Sequence, residues 1–219
     1  MREQIEMELN WRQDEIFFFK NIVNNISEEQ REKYRKSLVL ILYSHLEGYV
    51  KICLQTYVGF INALKLSCRD VKTELAVSSL RKEFNNYENI DRKYNKKTGE
   101  DKEFNRFSIQ VEFLNSIHGY LDKKLFIPDE VINTESNLHY DVLQKNLHRV
   151  GLSDNQFAEY KNDINALVNR RNAIAHGSLK SGVSEEEYLK WEKSARVVME
   201  AFPRILYDCA INKNWLVND

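Results

Sequence analysis

An all-α fold follows from three features of the chain. Seven glycines and two prolines in 219 residues punctuate it sparsely. Apolar residues recur at three- and four-residue spacing over long stretches. Ser27 to Gln30, Ser153 to Gln156 and Ser184 to Glu187 each have the Ser-x-x-Glu/Gln spacing of a capping box, in which two side chains satisfy the free N–H groups that open a helix. The expected architecture is one helical domain over 1–219, with long helices and an elaboration at about residues 67–136 between two bundle halves. A chain of this length buries a substantial core.

The composition narrows the function classes. A net charge of −1 with 30% charged residues is not the strongly basic coat of a general nucleic-acid binder, so any such contact is a focused site. Cys53, Cys68 and Cys209 are odd in number and widely spaced, which suits buried thiols in a reducing compartment, neither a disulfide framework nor a zinc site. Met1 to Asn10 lacks the apolar core of a signal peptide. No run reaches the roughly 18 uninterrupted apolar residues of a membrane span. The expected compartment is therefore the cytoplasm, with no membrane partner. No metal spacing, phosphate-cradling glycine loop or nucleophile elbow is present, and no cofactor is expected.

In chain order, Glu3 to Asn25 reads as a first helix with Ile5, Leu9, Ile16, Phe19 and Val23 on one face. Ser27 caps a second, very long helix from Glu28 to about Leu66, apolar all round between Leu38 and Tyr43 and so covered on several sides. Gly48 and Gly59 offer a bend or a close approach. Cys68 to about Asn86 reads as a shorter helix. Asn85 to Asn105 reads as a polar loop turning at Lys96-Lys97-Thr98-Gly99. Its aromatics and basic residues would suit single-stranded RNA, although local packing is the commoner use. Ile109 to Tyr120 fits helix or strand and favours helix, broken at Phe126-Ile127-Pro128. Asn137 to Val150 reads as a helix stopped by Gly151. Another opens at Asp154 and Asn155 and is stopped by Gly177, a residue that takes the left-handed conformation past a helix end cheaply. The last helix starts at Ser184 and is kinked or interrupted at Pro203.

The helix ending at Gly177 has two stripes. Phe157, Ile164, Leu167, Val168, Ile174 and Ala175 are apolar, with Arg171 in their midst; Asn165, Asn169, Asn172 and His176 form an uncharged polar stripe beside them. One reading is a snorkelling arginine and a helix end that suits cations. The other is a site. Arg, His and amides can cleave RNA without a metal: a ribose 2′-hydroxyl attacks phosphorus, the imidazole moves its proton, and the guanidinium stabilises the charged phosphorane. One difficulty stands: five residues put Arg171 and His176 about 140° apart on an ideal helix. Two remedies exist, singly or together: the helix unwinds at His176, or a second subunit supplies another pair.

Arg171-Asn172-Ala173-Ile174-Ala175-His176 resembles the R-(polar)-x-x-x-H signature of HEPN-domain ribonucleases. Tyr43-Ser44-His45-Leu46-Glu47-Gly48-Tyr49-Val50-Lys51 and Asn133-Thr134-Glu135-Ser136-Asn137-Leu138 are similar to further blocks of the HEPN-like nucleases in bacterial toxin–antitoxin and defence loci. The resemblance covers about Leu38 to Trp191. It implies a HEPN-like helical bundle that dimerises so that both motifs face one cleft, acting as a metal-independent endoribonuclease in a toxin or phage-defence role. The partners then are RNA, a second copy, and an antitoxin or defence-system protein. Candidate catalytic residues are Arg171 for phosphate, His176 for acid–base work and Asn172 for orientation. Glu47, His45, Asn169 and Lys51 are candidate supporting residues. Two of these keep a second reading: His45 as a core histidine satisfied within the bundle, and Glu47 as the helical ion-pair partner of Lys51, four residues on. The competing functional class is a non-catalytic bundle that binds nucleotide, RNA or a partner protein.

Overall fold

The computed structural model describes residues 1–95 and 102–217. Among them are eight α-helices and no strand beyond two isolated bridges, Ser67 with Lys124 and Val71 with Leu216. The helices are α1 (Arg2–Ile22), α2 (Glu28–Ala63), α3 (Thr73–Ser79), α4 (Arg81–Asn95), α5 (Lys102–Leu121), α6 (Tyr140–Arg149), α7 (Lys161–Ala175) and α8 (Glu185–Asn212).

α2 is the central element because it is apolar on several sides. Leu38, Val39, Leu42, Leu46, Val50, Leu54 and Ile61 are all buried, and the helix packs against α1, α7 and α8. By length and composition alone α2 would also cross a membrane, but these side chains face protein. Gly48 serves as a close approach: a Cβ there would come within 3.3 Å of the Arg12 guanidinium on α1. α8 closes the bundle through Trp191, Val198, Phe202 and Leu206. It runs through Pro203 without the expected interruption. The proline forfeits one backbone hydrogen bond, and burial of the apolar face on both sides of it offsets that loss.

Of the three capping boxes expected, only that of Ser184 and Glu187 forms. Ser27 occupies the N-cap position of α2, but its side chain bonds nothing there. The Ser153 box is absent because α7 begins at Lys161, later than expected. The reason is Phe157. Its ring is buried and stacks on Phe202 at 5.4 Å, which folds the chain into turns before the helix can start.

The middle of the chain differs most from expectation. The single helix expected over 68–86 breaks at Leu80 into α3 and α4, and the expected polar loop is helical as far as Asn95. The physical cause is an aromatic seam. Phe84 and Tyr87, one turn apart on α4, pack on Phe113 of α5 at 5.8 and 4.9 Å and make a helical hairpin. The expected turn at Lys96 to Gly99 lies outside the described residues. Ile109 to Tyr120 is helical, within α5. The ends of the 67–136 stretch are core: Leu75, Leu125, Ile127, Val131 and Ile132 are buried, whereas no described residue between Arg81 and Lys124 is. Cys53 and Cys68 are buried thiols and Cys209 is half-buried; burial pushes the Cys53 thiol up to about 12.

Candidate functional site

The motif arginine is held by three segments far apart in sequence. α7 contributes Arg171 and Asn172, α2 contributes Tyr43 and Glu47, and the loop before α6 contributes Thr134 to Leu138. Tyr43 and Glu47 are four residues apart and share a face of α2. The Arg171 guanidinium lies over the Tyr43 ring, 4.0 Å from its centroid. One terminal nitrogen donates to the Asn172 Oδ1 at 2.8 Å and the other to the Ser136 carbonyl at 2.9 Å. Glu47 sits 3.6 Å from the second nitrogen, close enough to pair by charge though beyond a hydrogen bond. The Arg171 side chain keeps 22% of its surface exposed. It is thus neither a core residue nor a free surface arginine.

The loop is bound to the same side chains. The Thr134 hydroxyl donates to Glu47 at 2.7 Å, the Leu138 N–H donates to the Tyr43 hydroxyl at 2.9 Å, and the Asn172 amide donates to the Asn137 side-chain oxygen at 2.9 Å. Its backbone is unusual. Glu135 and Ser136 are both left-handed, with φ of 55° and 53°, a conformation that costs a residue with a Cβ about 1 kcal/mol. Asn146, buried on α6, holds the loop entrance by accepting from the Asn133 N–H and donating to its carbonyl. Burial pushes the Tyr43 hydroxyl up to about 12.

His176 caps α7 at φ −87° and ψ 2°, and its N–H still bonds the Asn172 carbonyl at 2.9 Å. Gly177 follows with φ 69°. The helix therefore ends here but does not unwind enough to bring His176 onto Arg171. The imidazole is exposed and hydrogen-bonds to no described residue. Asn169 is likewise exposed, two turns earlier. Asn165, at the far end of the stripe, accepts from the Tyr140 N–H at 2.8 Å and lies 3.3 Å from the His139 ring.

The supporting candidates separate into two groups. Glu47 joins the Arg171 cluster; it does not pair with Lys51, which stays exposed, because Arg171 and Thr134 claim the carboxylate. His45 turns to the opposite side of α2, where its Nε2 lies 3.0 Å from Glu15 and its ring meets Trp11 edge-on. Burial lowers its pKa, with Glu15 opposing. Arg170 is tied elsewhere, to Glu187 and over the Trp191 ring. Among the described residues no three His, Cys, Asp or Glu side chains converge as metal ligands. The contacts of Tyr43, Thr134, Ser136 and Asn137 were not foreseen. The signal for Tyr43 was available in its four-residue spacing from Glu47.

A family model described as RiboL-PSP-HEPN matches residues 7–208. No curated protein and no solved structure matches the chain.

Proposed function

Because the chain belongs to the RiboL-PSP-HEPN family, whose HEPN domains are associated with metal-independent RNA cleavage, we propose that it is a metal-independent endoribonuclease serving as a toxin or phage-defence effector. The observation that carries this reading is the state of Arg171. Two of its five N–H groups are used by Asn172 and Ser136 and Glu47 lies 3.6 Å from one terminal nitrogen, so N–H groups remain for a phosphate, and the 22% of the side chain that is exposed gives it access.

In the proposed reaction an RNA 2′-hydroxyl attacks the adjacent phosphorus. Its proton passes to one imidazole, the O2′–P bond forms, and the P–O5′ bond breaks as the departing 5′-oxygen takes a proton from a second imidazole, leaving a 2′,3′-cyclic phosphate and a 5′-hydroxyl. Arg171 stabilises the extra negative charge of the phosphorane, and Asn172 holds the guanidinium's orientation. His176 of the same chain is displaced around the helix, so the acid–base pair is completed by a two-fold partner that sets a second Arg171 and His176 across the cleft. The test is a defined RNA oligonucleotide with purified protein in EDTA and product ends identified by mass. Cyclic phosphate ends, resistance of the matching DNA and loss of about a hundredfold or more in His176→Ala are expected. Linear 3′-hydroxyl ends, or cleavage that needs added Mg²⁺, would overturn the mechanism.

A specific observation favours the competing class, a bundle that binds nucleotide, RNA or a partner without cutting. Glu47 already offsets the Arg171 charge, and no described side chain orients the His176 ring. Tight RNA binding by a folded protein with no cleavage would select that reading.

A further inference from the structure

We propose that Tyr43 is a positioning residue for the reaction, bounding one side of the Arg171 guanidinium; this rests on the ribonuclease reading above. The starting point is that a partly exposed arginine has several rotatable bonds and no reason to hold one pose. Two kinds of contact fix this one. The Tyr43 ring bounds one side of the group, because the guanidinium carbon, 4.0 Å from the ring centroid, cannot swing away without losing the ring face. Bonds to Asn172 and Ser136 then fix its rotation. A planar fork held in this way presents its remaining N–H groups in fixed directions, as bidentate recognition of phosphate oxygens requires.

Tyr43 is suited to this because it cannot move. It is 1% exposed, and its hydroxyl accepts from the Leu138 N–H. That bond ties the ring to the same loop whose next-but-one residue before it, Ser136, holds the guanidinium edge. Ring and carbonyl are therefore positioned by one another. The left-handed pair Glu135 and Ser136 is part of this geometry: it bends the chain so that the Ser136 carbonyl faces Arg171 while the Asn137 side chain meets Asn172 and the Leu138 N–H meets Tyr43. Such backbone strain persists where surrounding contacts over-determine it. A core tyrosine with a merely packing role needs neither the cation above its face nor the loop across its hydroxyl.

The experiment compares Tyr43→Phe, Tyr43→Leu and Tyr43→Met in RNA cleavage, each in the wild-type and Arg171→Lys backgrounds, with thermal melts for every protein. Tyr43→Phe keeps the ring but frees the Leu138 N–H, and should retain more cleavage than Tyr43→Leu or Tyr43→Met while falling below wild type. Tyr43→Leu and Tyr43→Met should lower kcat by about tenfold or more, since small misplacements of a catalytic group carry losses of that order. KM should change little, because the charge of Arg171 remains. In the Arg171→Lys background, where no planar fork exists, the same variants should cost little more. A side chain that only packs would lower both backgrounds equally, and that result would overturn the proposal, as would unchanged kcat in folded Tyr43→Leu. Nuclear magnetic resonance of wild-type protein adds a check that no variant need survive: the Arg171 side-chain protons should carry the upfield ring-current shift of a group over a ring face. Its absence would also overturn the proposal. Wild-type protein that cuts no RNA overturns the ribonuclease reading itself, whereas active wild type with equally active Tyr43→Leu overturns the role of Tyr43 alone.

Discussion

Two arginines flank α2, one on each side, and their surroundings share a plan. Arg12 from α1 lies over the Trp11 ring at 4.2 Å and bonds Glu8 at 2.5 Å; Arg171 from α7 lies over Tyr43 and pairs with Glu47. Each is a cation on an aromatic face beside a carboxylate. They differ in provenance and access. Arg12 draws its nearer aromatic and its carboxylate from its own helix, with Tyr49 of α2 farther off at 6.0 Å, is 8% exposed, and leaves its Nε buried without a hydrogen-bond partner. Arg171 draws on three separate segments, uses a strained loop, and keeps an open edge. A buried arginine is thus not by itself a site. Convergence of distant segments on a cation that remains reachable is what separates the two.

The widest separation should come from removing each arginine. Arg171→Ala should lose cleavage by a hundredfold or more while remaining folded. Arg12→Ala should cut RNA at the wild-type rate per folded molecule. Equal activities of the two variants would erase the distinction.

The order should reverse in stability. Arg12→Ala leaves Glu8 without its partner beneath Trp11 and should cost on the order of 2–3 kcal/mol, less than a fully buried pair because Glu8 is partly hydrated. Arg171→Ala should cost less, as its pair is longer, 3.6 Å against 2.5 Å. Denaturant melts of both variants check this.

A third contrast is one of pH. His45, beside Arg12, has its pKa lowered by burial, so the folded state favours the neutral ring. The unfolded chain then takes up its proton first as pH falls through about 6.5, and stability is lost on the acid side. Wild-type protein should lose melting temperature between about pH 7.5 and 5.5 more steeply than His45→Gln. The pH profile of cleavage should be the same in both, because His45 faces away from Arg171.

The smallest effect concerns loop strain, which the Arg12 side lacks. Glu135→Gly removes the left-handed penalty and should stabilise by about 0.5–1 kcal/mol, read as a rise of a few degrees in melting temperature. Cleavage should stay within about threefold, since the Glu135 side chain faces Lys145 and not Arg171.

Periodicity in the sequence was enough for α1, α2 and α8, whose apolar stripes are long and regular. It marked Arg171 as anomalous for the same reason: a charge interrupts a stripe. It failed at α4, where asparagine and lysine mask a helix that is stabilised by Phe84 and Tyr87 meeting Phe113, and at the start of α7, where the stacking of Phe157 on Phe202 overrides a local capping pattern. The contacts of Ser136 and Asn137 with α7 are tertiary. No local rule specifies which carbonyl meets a guanidinium 35 positions away.

Those separations have a consequence for biosynthesis. The bond from Thr134 to Glu47 spans 87 positions and that from Leu138 to Tyr43 spans 95. A ribosome delivers Tyr43 and Glu47 early and Asn172 late, and α7 still lacks its cover until α8 has emerged to pack against it. Pairings of such long sequence separation form late in folding. The nascent chain therefore spends most of its translation with the arginine cradle unbuilt.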